Sequence, residues 1–265
     1  MLNQFVCVLM KNTSKVDFSL FQFDRDLTFA VFFMNADETI YGRFGTRAAN
    51  SRHQNVVCSI EPSPFSFLGS DVTLSAFKKA VEAALEIHVD YSPANEALKN
   101  NLSGKTGPPM IWKNANSLPA LQKWRKRTDT LSYSRVNGND CIHCHNFLTG
   151  RLESLRKFNI PISDRLIWCY PMPDVLGLTL DPKYRATVRA VGSGSEAEQA
   201  GFEAGDKILS MNKQPIISTA DVQWVLHHAP EGGEISVGVD RGGMPLEMKL
   251  AVPRGWRRRD QSPGG

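Results

Sequence analysis

The strongest chemical signal in the sequence is a run of five residues in which Cys141 and Cys144 are followed directly by His145. Cys-x-x-Cys-His is the pattern by which a c-type haem is attached covalently. Two thiols at this spacing reach the two vinyl groups on one edge of a porphyrin, and the adjacent imidazole binds the iron. The motif therefore predicts haem c on Cys141, Cys144 and His145, with His145 as the metal ligand.

Three other interpretations of this motif stay open. A redox-active dithiol needs a helix N-terminus to lower the pKa of a thiol, and residues 137–140 allow a helix to begin here. A zinc site needs two further ligands, and the sequence contains no second Cys-x-x-Cys. The pattern can also be coincidental, in which case the thiols form a disulfide or stay free.

A sixth ligand for the iron is predicted at Met172, within the Pro-containing stretch Tyr170–Pro173. A loop made rigid by proline is a familiar setting for a thioether ligand. The alternative is a methionine in an exposed linker. His143 lies between the two anchoring thiols, so we do not expect it to bind the iron.

Length and composition set the frame for these residues. A chain of 265 residues suits two domains and a connecting segment. Thirty-one basic and 27 acidic residues give a net charge of +4, which is too small to predict a nucleic-acid partner. No apolar run approaches the roughly 20 residues that cross a bilayer. Five cysteines argue against a fully paired disulfide framework.

Residues 1–92 carry strand signals followed by a helix signal. Phe5–Met10 and Leu27–Met34 are apolar runs of strand length, and Thr39–Phe44 alternates between apolar and polar residues. A helix with apolar residues at helical spacing is predicted to begin near Ser70 or Asp71. Cys7 then lies in a buried strand. The first residues lack the basic start and the cleavage site of a signal peptide.

This order, with LTFAVFFMNADETIYGRFGTR at its centre, resembles the second half of a thioredoxin-like domain over residues 3–92. The resemblance implies a domain that is incomplete at its N-terminus, since the family's redox Cys-x-x-Cys is expected upstream of Met1. The cis-proline of the family is expected near Leu27, which is not proline. We therefore expect a scaffold without its nucleophile.

Residues 93–174 are predicted to connect two domains. The stretch 92–109 is rich in Asn, Ser, Gly and Pro, as linkers are. The basic cluster Lys123–Arg127 is interpreted as a solvated face, because nucleic-acid binding needs a more basic chain. Arg151–Phe158 is predicted to be helical, and Cys169 to be a buried thiol.

Residues 175–254 carry the clearest domain pattern. Strand and turn signals alternate along the segment, and Ser218 with Asp221 three residues later predicts the start of a helix. The strands Glu234–Asp240 and Leu246–Val252 close the pattern. Residues 255–265 are expected to form a disordered basic tail.

The segments LGLTLD, SEAEQAGFEAGDKILSMNKQPI and STADVQWVLHHAPEGGEISVGVDRGG are similar to PDZ domains of the kind found in bacterial periplasmic proteases. The resemblance implies that a peptide adds as a strand beside a helix that starts after Ser218. Gln223 and His227 are implied to face this peptide, and Val222 and Leu226 to be core. The residues implied to receive the peptide's carboxylate are Leu176, Gly177, Leu178 and Thr179.

The whole order resembles bacterial thioredoxin/PDZ proteins, some of which are selenoproteins. The predicted fold class is therefore a two-domain α+β or α/β chain: a partial thioredoxin-like fold, a connecting segment with Cys-x-x-Cys-His, and a PDZ domain. The sequence does not decide whether the chain is an enzyme. It contains no Gly-x-Ser-x-Gly and no recognisable Ser/His or Ser/Lys set of a protease.

Two hypotheses follow. The first is an exported redox or electron-transfer protein that carries haem c and docks a protein or peptide C-terminus through its PDZ groove, in the periplasm. The second is a non-catalytic PDZ interaction protein without a cofactor, with a disulfide or free thiols at Cys141 and Cys144, and located in the cytoplasm. Neither hypothesis includes a nucleic acid or a transmembrane segment.

Overall fold

The computed structural model describes residues 2–10, 16–24, 27, 29–45, 73–92, 94–122, 144–181 and 183–259. The strands are β1 (Val31–Met34), β2 (Ile40–Phe44), β3 (Leu178–Leu180), β4 (Val188–Val191), β5 (Lys207–Met211), β6 (Gln214–Pro215), β7 (Glu234–Arg241) and β8 (Met244–Ala251). The α-helices are α1 (Leu74–Asp90), α2 (Glu96–Ser103), α3 (Cys144–Lys157), α4 (Asp164–Ile167), α5 (Glu196–Gln199) and α6 (Thr219–His228). Short 3-10 turns include Pro173–Leu176 and Trp256–Arg259.

An antiparallel hairpin and a helix form the N-terminal part. Strands β1 and β2 pair directly, and α1 begins after Thr73, whose hydroxyl accepts the N–H of Ala76. Small residues on α1, including Ala80 and Ala84, let the helix approach aromatic side chains of the hairpin closely. The predicted order of hairpin and helix is confirmed. A thioredoxin-like fold is not established, because two strands and one helix are common to many folds.

The predicted strand Phe5–Met10 is wrong. This stretch is not paired with any strand of the described residues, and the side chains of Val6, Val8 and Leu9 are 94%, 80% and 77% exposed. Phe5 alone reaches the hairpin, with its ring centroid 6.1 Å from that of Phe33. An apolar stretch becomes a buried strand only where another strand lies beside it and pairs with it. Cys7 is accordingly exposed rather than buried.

The stretch predicted as a linker contains helix α2. Asn95 caps the helix by accepting the N–H of Leu98, and Leu102 and Lys105 are fully buried. Helix α2 packs against β2 and β6, so it joins the N-terminal hairpin to the C-terminal sheet. The linker was predicted from the polar composition of this stretch. A short helix that buries only one side keeps most of its residues polar, so composition does not reveal it.

Helix α3 includes residues 151–157 of the predicted helix Arg151–Phe158 and ends one residue earlier than predicted, at Lys157. Phe147 near its start contacts Phe18, with the ring centroids 4.1 Å apart. Together they centre a small core that joins α3 to the chain on either side of α2. Leu148, on the same helix, packs against the C-terminal core.

Two sheets build the C-terminal part. Strands β3 and β4 form one antiparallel pair, and the other sheet has the order β6-β5-β7-β8. Both predicted C-terminal strands are confirmed with shifted ends, as β7 and β8. Helix α6 begins at the predicted position, after Ser218, whose hydroxyl accepts the N–H of Ala220. No helix of the described residues is long and apolar enough to cross a membrane.

The predicted disordered tail is wrong for residues 256–259. These residues form a 3-10 turn, in which Trp256 and Arg257 are buried. The Arg257 guanidinium donates to the carbonyl of Leu226 at 2.9 Å and pairs with Glu231 at 2.7 Å. A cation at the C-terminal end of α6 satisfies carbonyls that the helix leaves without partners.

Candidate functional site

A turn, a glycine and a strand edge form the first wall of the site. The 3-10 turn Pro173–Leu176 ends at Gly177, whose backbone is left-handed at φ 89°. The carbonyl of Gly177 accepts the N–H of Gly192, so in the alternating antiparallel pattern the N–H of the next residue, Leu178, points to the outer edge of β3. Among the described residues, β3 pairs with β4 alone. The site therefore offers a strand edge, with the N–H of Leu178 directed outwards, beside a turn in which the N–H groups of Val175 and Gly177 are bonded internally.

Gly177 cannot be replaced without a clash. A Cβ at this position overlaps the side chain of Ser195. The positive φ adds a penalty of about 1–2 kcal/mol for a residue with a side chain. Ser195 is itself fixed, because its hydroxyl donates to the carbonyl of Gly192 and accepts the N–H of Glu198. Glycine is thus required here for two separate reasons.

Helix α6 forms the second wall. It packs against the turn Pro173–Leu176, and Val222 and Leu226 lie in the core as predicted. Gln223 and His227 are four residues apart and share one face of the helix. Both are buried, at 1% and 8% exposure, although the sequence placed them beside a bound peptide.

The protein's own chain covers these two side chains. We call Tyr170–Met172 the strap. Gln223 donates from Nε2 to the carbonyl of Tyr170 at 3.1 Å and lies 3.2 Å from the sulfur of Met172. The N–H of Tyr170 donates to Nδ1 of His227 at 3.2 Å, and the two rings stack with centroids 4.2 Å apart. The strap runs directly into the turn that precedes Gly177.

The strap has a strained backbone. Tyr170 adopts φ 50°, the left-handed conformation that bulky residues rarely take. Such a residue costs about 1–3 kcal/mol and persists only where its surroundings hold it. Here the ring stack on His227 and the two backbone hydrogen bonds hold it.

His227 must be neutral to accept the N–H of Tyr170 through Nδ1. Burial lowers the pKa of His227 well below its ordinary value, and the neighbouring His228 imidazole and the cations Arg165 and Arg257 lower it further. Burial likewise lowers the pKa of His228 to about 4. Both imidazoles are therefore uncharged near neutral pH.

The opposite face of α6 holds a buried ionic network. The carboxylate of Asp221 accepts the backbone N–H of Arg43 at 3.2 Å and that of Ile217 at 3.1 Å. Lys105 approaches the same carboxylate at 2.8 Å, with both side chains fully buried. Asp221 was predicted as a helix-start residue, but it joins α6 to β2 and to the end of α2.

Arg43 and Trp224 complete this network. The guanidinium lies over the indole at 3.7 Å and donates to the carbonyls of Gln22 and Lys105. The indole N–H of Trp224 donates to the carbonyl of Gly104 at 2.9 Å. Burial lowers the pKa of Arg43 to about 10, and it also lowers the pKa of Lys105 against the raising effect of Asp221.

The structure brings only some of the predicted site residues together. Leu176, Gly177 and Leu178 line the turn and edge of β3, Thr179 pairs with Ala190 within the β3–β4 sheet, and Gln223, His227 and Met172 meet at the strap. Sequence reasoning missed Tyr170 as a partner of His227. Pro171 within the strap and Pro173 directly after it were the available signal, since they mark a segment that cannot join a helix or a central strand.

The haem motif lies mainly outside the described residues. Residues 141–143 are not described, and α3 starts at Cys144, which places Cys144 and His145 in its first turn. Among the side chains that the structure does describe, no three His, Cys, Asp or Glu residues form a metal-binding group. Cys169 is buried, as predicted.

Comparison with known proteins identifies the C-terminal part. Residues 174–252 match the family model of the PDZ domain. The periplasmic pH-dependent serine endoprotease DegQ of Escherichia coli is 34% identical over 73 residues, which are 28% of this chain and 16% of that protein. The periplasmic serine endoprotease DegP of Salmonella typhimurium is 35% identical over 75 residues, with the same two shares.

A solved serine endoprotease from Yersinia pestis is 26% identical, covers 29% of this chain and 28% of its own, and has a TM-score of 0.27. The chain thus matches about one sixth of the length of its curated relatives. Residues 174–252 are a PDZ domain with similarity to these proteases.

Proposed function

We propose that this protein binds the C-terminal end of a peptide or protein partner in the groove between β3 and α6. The observation that carries the proposal is Gly177, held left-handed between the turn Pro173–Leu176 and a strand edge within a PDZ domain. A peptide adds to such an edge by main-chain hydrogen bonds, and its side chains read the neighbouring surface.

The charge around the groove favours a carboxylate. Burial is the main cause of the lowered pKa of His227, and Arg165 and Arg257 lower it further, so positive charge lies near the α6 side of the groove. A C-terminal carboxylate gains from this potential and from the backbone donors near Gly177. An amidated peptide end gains much less.

The test is a titration with peptides that differ only at their ends. Fluorescein-labelled decapeptides of mixed sequence, with a fixed Val, Leu or Phe at the C-terminus, are added to the full chain as free acids or as amides. We expect the free acids to bind at least about ten-fold more tightly, in line with charge-assisted hydrogen bonds of about 1.5–3 kcal/mol. Equal binding of acids and amides would contradict a carboxylate-reading groove.

The setting that we propose is the periplasm. The two curated relatives are periplasmic proteases, and their similarity to this chain covers the PDZ domain. Cell fractionation of a native host, with an antibody against this protein, tests the location. Recovery in the cytoplasmic fraction would contradict it.

A second proposal concerns Cys141, Cys144 and His145. We propose that the two thiols hold a haem covalently and that His145 binds its iron, because the motif has the required residues in the required order. When bound, the haem supplies one-electron redox chemistry. Met172 fits a sixth ligand only if its sulfur leaves Gln223, which it contacts in the strap.

An absorbance spectrum and an intact mass test the haem proposal. The full chain is expressed with a cytochrome c maturation system, beside a Cys141→Ser/Cys144→Ser variant. A Soret band and the added mass of one haem are expected in the first sample and not in the second. Soluble, folded protein without either signal would favour the alternative, a PDZ interaction protein with a disulfide or free thiols at this motif.

A further inference from the structure

We propose that the strap Tyr170–Met172 is an internal competitor of the peptide, so that the groove accepts a partner only after the strap has left α6. The inference rests on the proposed function, because it describes how the same groove is regulated. Three observations carry it: the residues that the strap contacts, its connection to the turn before Gly177, and its strained backbone.

The strap contacts the two helix residues that a peptide would meet. The resemblance to PDZ domains assigns Gln223 and His227 to the groove, independently of their contacts with the strap. In the structure their polar atoms are engaged with the backbone of Tyr170, through Gln223 Nε2 and His227 Nδ1. A peptide that uses either side chain must therefore displace these hydrogen bonds. The exchange is close to neutral, since one set of backbone partners replaces another.

The strap is also continuous with the carboxylate-binding turn. The carbonyl of Met172 accepts the N–H of Val175, and the carbonyl of Asp174 accepts the N–H of Gly177 at 2.9 Å. These are successive bonds of one 3-10 turn, so the donor of Gly177 is engaged while the turn is closed. Lifting the strap pulls on the first of these bonds. Opening the α6 side and exposing the turn's donors are thus one movement.

The strap is under strain. Its backbone makes two hydrogen bonds to α6, and the ring of Tyr170 stacks on His227 and packs in the C-terminal core. The left-handed φ of Tyr170 is relieved when the strap lifts, because the open backbone can adopt ordinary angles. A segment with stored strain is suited to be displaced by a ligand.

The expected consequence is a reduced apparent affinity. A binding site that is open for a fraction of the time has its dissociation constant raised by the inverse of that fraction. A change that weakens the strap but leaves the groove intact therefore strengthens peptide binding. Tyr170→Ala is such a change, since it removes the stacked ring and leaves Gln223, His227 and Gly177 in place. Tyr170→Phe is its matched control, because it keeps the ring.

The experiment titrates the free-acid decapeptide mixture into the full chain and both variants. We expect Tyr170→Ala to bind about ten-fold more tightly than the unchanged protein, and Tyr170→Phe to bind like the unchanged protein. Equal or weaker binding by a folded Tyr170→Ala variant would overturn the proposal that the strap competes with the peptide, but it would leave the proposed function intact. No binding by any of the three proteins would instead contradict the proposed function, and with it the proposal that the strap regulates binding.

Hydrogen exchange on the unchanged protein tests the strap without any substitution. The N–H of Tyr170 is protected by His227, so saturation with the peptide mixture is expected to increase its exchange rate by about ten-fold or more. The N–H of Ile208, which donates to the carbonyl of Ala186 away from the groove, serves as the internal reference. Unchanged exchange at Tyr170 in a peptide-saturated sample would overturn the proposal, even if Tyr170→Ala failed to fold.

Discussion

The two faces of helix α6 are both covered by other parts of the chain, but by different means. One face is held by Asp221, Lys105 and Arg43, whose charges are buried together. The other face is covered by the strap through neutral hydrogen bonds and a ring stack. The first face joins two parts of the molecule, and the second covers the candidate groove.

This difference sets which face can open. Separating α6 from the N-terminal part would pull the carboxylate of Asp221 away from Lys105 and Arg43. Each of these buried charges would then lose the opposite charge that stabilises it. Lifting the strap breaks neutral contacts and relieves a strained φ at Tyr170. We therefore expect α6 to stay fixed to the N-terminal hairpin while the strap moves.

The largest expected effect is that of Asp221→Asn. The substitution keeps the shape of the side chain but leaves Lys105 and Arg43 buried without a counter-charge. We expect the free energy of unfolding to fall by about 3–5 kcal/mol, as measured by urea denaturation at pH 7. The loss is expected to shrink at high pH, because Lys105 can then lose its proton, and its pKa is already lowered by burial.

Glu82→Gln is the control for Asp221→Asn. Glu82 pairs with Lys79 at 2.7 Å on the exposed side of α1, so its removal is expected to cost less than about 1 kcal/mol. Similar losses for the two variants would show that burial does not distinguish the ionic face of α6. That result would contradict the expected difference in stability between the ionic face of α6 and the face that the strap covers.

Gly177→Asp is expected to remove peptide binding and to lower the free energy of unfolding by about 3 kcal/mol. The left-handed φ contributes about 1–2 kcal/mol, and the overlap with Ser195 contributes the rest. Gly242→Asp is the matched control, because Gly242 also has a positive φ but no atom within 4 Å of its Cβ position. The control is expected to cost about 1 kcal/mol and to bind the decapeptides normally. Full binding by Gly177→Asp would exclude the turn as the carboxylate site.

The sequence predicted the PDZ part well because its signals are local. Ser218 predicts a helix start since its hydroxyl bonds to an N–H two residues away, and the left-handed backbone of Gly177 belongs to a single turn. The core positions Val222 and Leu226, which the resemblance to PDZ domains implied, are four residues apart on one helix face and are buried. These predictions need no knowledge of the rest of the chain.

The covered faces of α6 could not be predicted, because their partners are distant in sequence. Asp221 reads as a helix-start residue, and only the fold brings Lys105 and Arg43 to it. The burial of His227 likewise depends on a segment 57 positions away. The N-terminal strand Phe5–Met10 failed for the reverse reason. Its apolar pattern was clear, but a strand needs a neighbour.

Acid is expected to weaken the fold through His228. The pKa of His228 is lowered to about 4 in the folded protein, so the unfolded chain binds its proton first as the pH falls below about 6.5. Stability from this group is therefore complete above that pH and is lost progressively as the pH falls towards 4. We expect a loss of about 2 kcal/mol between pH 7 and pH 4.5.

His228→Phe measures this contribution, because it keeps a ring against Trp224, which His228 contacts at 4.0 Å between centroids. Urea denaturation across pH 4.5 to 7 is expected to show a shallower dependence in the variant. Identical pH dependence in both proteins would assign the acid sensitivity elsewhere. Near neutral pH the peptide affinity is expected to change little with pH, since burial holds the pKa of His227 well below its ordinary value and the imidazole stays neutral there.

The smallest expected effect, that of Gln223→Met, is the sharpest test of the comparison. Gln223 is as deeply buried as Asp221 and lies two residues after it on the same helix, so burial and location are nearly matched. The substitution removes the bond from Nε2 to the carbonyl of Tyr170 and places a thioether beside Met172. A neutral hydrogen bond is worth about 1 kcal/mol, and no charge is left without a partner. We therefore expect a loss of about 1 kcal/mol in urea denaturation, several-fold less than for Asp221→Asn. A loss of 3 kcal/mol or more, on this order-of-magnitude scale, would mean that the strap is as fixed as the ionic face and that the groove is permanently filled.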